Sequence, residues 1–310
     1  MTGSFFIMMA CLTWALDTLI RYPLLGAGYS TLQIVVLEHL FLTLIFSPFL
    51  WLYRHRLMRL SAMQWLSFIV IGGLGSAIGT LAFTQAFHYL HPTVVILLQK
   101  LQPIVAISLA YWWLKEPLRK GFAFWAAIII SGSFIMIWPD INALFGSTLH
   151  YSDQLPLVLL GYACTLVAVF AWGSATVFGK YLSLHGLNSK EIMTGRFTTG
   201  FIVLLPLWFV QGSPGLTITW ALGGKVLGMV LISGLTGMAL YYHGLKRVGA
   251  RIATLAEMTF PVTAVIVNWI FLDSPLNLYQ IAGALILVAG NLGLRLKEAD
   301  PEQSLQTQNV

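Results

Sequence analysis

The sequence predicts an all-α membrane protein of ten transmembrane helices, arranged as two inverted five-helix repeats. Three observations carry that expectation. The 310 residues are 58% hydrophobic and only 9% charged, whereas soluble domains are roughly half apolar and about one-quarter charged. Apolar runs recur at lengths that cross a hydrocarbon layer of about 30 Å. Residues of the first half also recur at a fixed distance in the second, as with Trp14 and Trp172 (172 − 14 = 158).

The apolar runs cover about 4–20, 31–53, 64–87, 92–113 and 121–138 in the first half, and about 156–179, 190–210, 222–243, 250–271 and 277–295 in the second. Turn or charge clusters separate them. In lipid every backbone N–H and C=O must be bonded within the protein, which leaves helix bundles and closed barrels, and barrel-type alternating segments are absent. The first run lacks a basic leader and an Ala-x-Ala cleavage signal, so it is expected to stay as helix 1. Cys11 and Cys164 fall inside apolar runs and are expected as small buried residues, not a disulfide. The organisation expected is a first repeat at 1–138, an extracytoplasmic linker at 139–155, a second repeat at 156–295 and a disordered cytoplasmic tail at 296–310.

The net charge of +6 does not indicate nucleic acid, because the basic residues sit at helix ends. With the N-terminus cytoplasmic, Arg54, Arg56, Arg59, Lys115, Arg119, Lys120, Lys180, Lys190, Lys246, Arg247, Arg251, Arg295 and Lys297 lie near the inner face. Arg21 and Lys225 lie toward the outer face, and Lys100 and Arg196 fall within helices. That bias predicts both termini inside a cytoplasmic (inner) membrane.

At the offset of 158, Trp14/Trp172, Pro48/Pro206, Gly79/Gly237, Pro103/Pro261, Pro117/Pro275 and Gly132/Gly290 match without a gap. Five helices is an odd number, so the second copy enters the membrane upside down, an arrangement typical of secondary transporters. These residues, with Arg196 and the Leu114-Lys115-Glu116-Pro117-Leu118 turn, make the chain resemble the drug/metabolite transporter superfamily, EamA type, over residues 4–295. The resemblance implies ten helices around a central cavity lined by helices 1, 3, 4, 6, 8 and 9. The chain departs from the family pattern at Glu38-His39, where arginine is common, and at Asp273-Ser274, where glutamate is common.

Two proline-terminated polar stretches, Leu98–Pro103 and Ala256–Pro261, interrupt otherwise apolar helices. Pro103 and Pro261 each remove a backbone hydrogen bond, and matching breaks in two halves point to a midplane site. Lys100 and Glu257 fall near that midplane, where a charge costs at least about 2.5 kcal/mol. Glu257 is expected to take a proton or a substrate amino group, with Lys100 and Gln99 beside it; a fixed Lys100 to Glu257 ion pair is the structural alternative. Trp14 and Trp172, with Asp17 one turn on, are faced in the family fold by Gln85, Tyr241, Tyr242 and His243, which could form an aromatic cage. Core packing is the alternative for each tryptophan. Glu38, beside His39, is a second candidate for coupling, and Arg196 is expected to snorkel or to bind loop carbonyls.

Gly75-x3-Gly79 and Ser233-x3-Gly237 permit close helix approach. No metal site, cofactor or catalytic constellation is expected: the histidines lack converging ligands, and no phosphate-binding loop occurs. The function expected is secondary transport of a small polar metabolite, with export of amino-acid-like compounds driven by proton exchange; choline-like amines are the alternative cargo. An intramembrane enzyme acting on a lipid-like substrate is the alternative from another class. The partners expected are substrate, membrane lipid and protons, with the chain a monomer or weak homodimer. A fluorescent protein fused after Val310 should fluoresce and alkaline phosphatase placed within 139–155 should be active; the opposite pattern would reverse the orientation.

Overall fold

The structure, a computed structural model, describes residues 3–118, 121–145, 155–211, 219–257, 259–271 and 277–299. A few side chains within these segments, Lys100 and Pro261 included, fall outside the description. The described residues are all helical or in short connections. The helices are α1 Gly3–Gly26, α2 Thr31–Leu57, α3 Ala62–Ala86, α4 Pro92–Leu98, α5 Gln102–Trp113, α6 Phe122–Phe145, α7 Leu155–Leu184, α8 Ser189–Val210, α9 Trp220–Leu245, α10 Ala250–Ala256, α11 Thr259–Phe271 and α12 Leu278–Ala299.

Local chemistry fixes where helices begin and end. Ser30 caps α2 by accepting the Gln33 N–H at 3.1 Å, and Thr219 caps α9 through Leu222 N–H at 3.1 Å. Ser61 with Gln64 and Asn188 with Glu191 form reciprocal capping boxes at the starts of α3 and α8. Gly28 and Gly186, with φ of 88° and 85°, follow α1 and α7 in the left-handed conformation that terminates helices and that other residues resist.

Among the described residues, seven helical segments are long and apolar enough to cross a membrane. They correspond to runs 1–4 and 6–8 of the sequence. The other three runs yield the shorter apolar stretches Phe122–Ile135 and Leu278–Gly290, and the interrupted pair α10 and α11. Some helices outrun their apolar cores. α1 continues past Arg21 to Gly26 because that charge is buried and paired. α6 extends to Phe145, into the expected linker, and α12 extends to Ala299, into the expected tail.

The two proline-terminated stretches become helix breaks. α4 and α5 are joined by one 3₁₀ turn, Gln99–Leu101, and Pro103 occupies the first turn of α5, where its missing N–H leaves no bond unmade. Between α10 and α11, Phe260 N–H bonds the Glu257 carbonyl at 3.0 Å, a tightened turn of the same kind. α3 and α9 each contain a π-helical stretch, Ile69–Ile78 and Val230–Gly237. A wider turn leaves carbonyls open to other donors.

The first half and the second half interlock. α1 packs on α9, α10 and α11, α7 packs on α3 and α5, and α2 packs on α8. The Trp14 indole N–H donates to the Ser233 carbonyl at 3.3 Å, and that of Trp172 donates to the Gly75 carbonyl at 2.9 Å. These are the same contact at the same spacing (172 − 14 = 233 − 75 = 158). The buried core runs from Ile7, Ala10 and Cys11 of α1 through Phe68 and Ile71 of α3 to Tyr242 of α9, while Trp112, Phe124 and Trp269 point outward. A Cβ at Gly72 would meet the Thr199 hydroxyl and the Arg196 carbonyl of α8, whereas at Gly224 it meets nothing. Gly72→Ala should therefore cost about 1–3 kcal/mol and lower the thermal midpoint in detergent, and Gly224→Ala should not lower it.

Candidate functional site

Where the two halves interlock, the described helices line a cavity of about 150 Å³, room for about five waters at roughly 30 Å³ each. Four aromatic rings line it in two contacting pairs. Trp14 leans on Tyr241 with centroids 5.4 Å apart, and Trp172 leans on Phe83 at 5.0 Å. Phe197 and Phe260 complete the apolar surface.

One end of the cavity is an ion cluster. Arg21 Nε and Nη2 donate to Asp17 at 2.6 and 3.2 Å, and Nη2 also donates to Glu38 Oε2 at 3.0 Å. Arg21 Nη1 reaches Thr84 Oγ1 at 3.3 Å, and the Ser233 hydroxyl donates to Asp17 Oδ1 at 2.7 Å. Asp17, Arg21 and Glu38 are 9%, 3% and 7% exposed. Their burial makes the bonds strong and charge-assisted, and makes removal of any one partner costly. His39 turns away from the cluster, with its ring nitrogens on the Val35 carbonyl and the Ser76 hydroxyl.

The other end is made by the helix breaks. Glu257, buried just past the end of α10, accepts Gln102 Nε2 at 2.6 Å and Thr176 Oγ1 at 3.3 Å. The Tyr241 hydroxyl donates to Thr176 Oγ1 at 3.0 Å. Arg196 of α8 donates to the Tyr242 hydroxyl at 3.0 Å, while its Nε has no partner among the described residues. Gln99 Nε2 is likewise buried and unpartnered. Two buried donors without acceptors among the described residues are costly; both belong to side chains that line the cavity, although neither atom is itself open to it.

Of the side chains singled out in the sequence, Trp14, Asp17, Glu38, Gln99, Trp172, Tyr241 and Glu257 line this cavity. Gln85, Tyr242 and His243 do not. Gln85 donates to the Tyr89 hydroxyl at 2.9 Å, Tyr242 is fully buried behind the wall, and His243 is exposed against Phe6 beside an open cleft with Lys190, Lys246 and Arg247. The reason is rotational. On a helix a neighbour points about 100° away and the next but one about 200° away, so Phe83 and Tyr241 can face the cavity while Gln85, Tyr242 and His243 cannot. The Lys100 side chain, and with it any Lys100 to Glu257 pair, lies outside the described residues.

The sequence reading placed Arg21 at the outer face; its burial between two carboxylates removes it from that count. The i, i+4 spacing of Asp17 and Arg21 was the available signal. Arg196 is buried, donates to the Tyr242 hydroxyl and binds no loop carbonyl among the described residues, and its side chain lines the cavity. Gln102 is one turn beyond Gln99 in the polar stretch already noted, and Ser233 stood out only as a small residue permitting close helix approach, not as a partner for Asp17.

Residues 1–138 and 159–296 each match the EamA-like transporter family. The chain belongs to that family. With seven spanning-length helices among the described residues, it is an integral, multi-pass membrane protein and a membrane transporter of the EamA type. Riboflavin transporter ImpX of Fusobacterium nucleatum is 29% identical over 92% of this chain and 95% of its own length. Protein LicB of Haemophilus influenzae is 24% identical over 94% and 96%, and the uncharacterized transporter YoaV of Bacillus subtilis is 28% identical over 47% and 50%. A solved crystal structure with 14% identity superposes on this EamA-family chain with a TM-score of 0.62 over 95% of both chains, a likeness of fold.

Tyr242 is the hydroxyl partner of a buried guanidinium, a bond worth roughly 1.5–3 kcal/mol. Tyr242→Phe should lower stability by that amount in a reversible unfolding titration, with a smaller effect from Tyr89→Phe, whose hydroxyl bonds a neutral amide.

Proposed function

We propose that this protein is a secondary active transporter whose cargo is a small metabolite with a flat aromatic portion bearing hydrogen-bond acceptors, carried by alternating access of two inverted five-helix halves. The observation that carries this reading is the cavity: its lining holds two contacting pairs of aromatic rings together with Gln99 and Arg196, whose Nε2 and Nε are buried without a partner among the described residues and would need a turn of the side chain to reach a ligand. A planar ring stacks on such walls, and its carbonyls or ring nitrogens would meet the donors. The likeness to a riboflavin transporter over nearly the whole chain supports the same class. The interlock of α1 and α7 through Trp14 and Trp172 supports halves that rock about one central site. The basic-residue bias supports both termini in the cytoplasm of a cell whose inner membrane holds the chain.

An amino-acid-like cargo is the second reading, favoured by a guanidinium and a carboxylate, Arg196 and Glu257, lining the same cavity. A choline-like cation is less well served: Asp17 and Glu38 already share Arg21, and Glu257 accepts two hydrogen bonds. The family and the names of its relatives favour transport over an enzyme.

Ligand-induced stabilisation tests the cargo. At about 100 times its Kd a specific ligand stabilises by about 2.7 kcal/mol, so riboflavin should raise the thermal midpoint of the purified protein while choline leaves it unchanged. Trp14→Leu and Trp172→Leu should each weaken riboflavin binding roughly 2- to 12-fold. A shift with phenylalanine and none with riboflavin would favour the second reading.

A further inference from the structure

The ion cluster at the α1 and α2 end of the cavity is the least economical feature of the molecule. Two carboxylates each lie within 3.2 Å of one guanidinium, all at most 9% exposed, so their formal charge is −1 (−1 − 1 + 1). A lone charge inside the membrane is costly, and a well-balanced structural pair would need only one acid. The surplus falls on Glu38. Asp17 is held by Arg21 at both oxygens and by Ser233. Glu38 gives Arg21 only its Oε2, and its Oε1 accepts no hydrogen bond among the described residues, although the side chain is nine-tenths buried and lines the cavity.

We propose that Asp17, Arg21 and Glu38 form a proton-coupling site in which Glu38 Oε1 is the atom that takes the proton. The proposal rests on the transporter reading above. Cavity water delivers the proton; an O–H bond forms at Glu38 Oε1 as one O–H bond of hydronium breaks, and the cluster passes from −1 to neutral. A sodium ion fits less well, since it needs several oxygen ligands and would sit beside the Arg21 guanidinium, whereas a proton needs one oxygen. Other charged or titratable groups that face this region are Arg196 from α8, Tyr241 from α9, Glu257 from the α10 end, and His39 on the same helix, turned to Ser76. Lys225 of α9 is exposed.

The position of the cluster gives the proton something to act on. When Glu38 is charged, Arg21 ties α1 to α2. When Glu38 is neutral, Arg21 pairs with Asp17 alone, and Asp17 still holds α9 through Ser233, whose carbonyl also receives the Trp14 indole. Proton occupancy thus makes or releases the attachment of α1 to α2 in its own half, while its attachment to α9 in the other half persists. A ligand drives a two-state change only through such a difference between states.

Two measurements test the site in the full-length protein. In pH-difference infrared spectra, a carboxylic-acid carbonyl band should titrate in the wild type, persist in Glu257→Gln and vanish in Glu38→Gln, with thermal midpoints confirming that both variants are folded. No titrating band in the wild type, or loss only in Glu257→Gln, overturns the proposal whatever the cargo. In proteoliposomes, riboflavin accumulation driven by an imposed pH gradient should fall about tenfold further in Glu38→Gln than riboflavin counterflow does, since coupling and exchange draw on different interactions. Equal falls, or accumulation driven by a sodium gradient instead, also overturn it. Absence of wild-type riboflavin counterflow would count against the cargo reading while leaving the infrared test decisive for the site.

Discussion

A guanidinium held between two carboxylates inside the bundle is the interaction on which the rest of the arrangement depends. In a layer that excludes water, Arg21 cannot be left unpaired, so α1 must present Asp17 one turn away and α2 must bring Glu38 within reach. Ser233 then anchors the same cluster to α9. Three helices from both halves are fixed by one set of charges. Their apolar surfaces alone, as greasy as the lipid, would not specify that register.

Backbone irregularities make the space around this cluster. A straight helix has no carbonyl to spare, but the π-helical stretches of α3 and α9 offer Gly75 and Ser233 carbonyls to the two indoles, and the broken turns at Gln99 and Glu257 direct polar side chains inward. The contacts at Trp14 and Trp172 keep the spacing of 158 residues, yet the chemistry around them does not. Glu38 stands where the second half has Arg196 (196 − 38 = 158), and Gln99 stands where it has Glu257 (257 − 99 = 158). Positions 158 apart therefore differ in charge, opposite at Glu38 and Arg196 and neutral against acidic at Gln99 and Glu257, and all four side chains line the cavity.

The sequence was informative where a single residue type has a single physical consequence in lipid. Long apolar runs had to become helices because nothing else satisfies their backbone. Pro103 had to open a helix segment, and the polar stretch before it became the broken turn. The tryptophans and Glu257 stood out as groups poorly suited to a lipid-facing midplane, and all three line the cavity. Boundaries were less legible, since a charge reads as a helix end only when it meets water, and Arg21 does not.

What the sequence by itself determined is therefore the helical membrane class, its internal spacing and the two interrupted helices, since each follows from local backbone chemistry or from residue identity repeated along the chain. What only the tertiary structure decided is which polar side chains share the cavity. Arg21 with Glu38, Ser233 with Asp17, and Gln102 and Thr176 with Glu257 are separated by 17 to 216 residues. Their meeting depends on the rotation and crossing of whole helices, where one residue along a helix turns a side chain by about 100°. That angle sends Tyr241 to the cavity and Tyr242 behind it, a distinction that two adjacent tyrosines in a sequence do not carry.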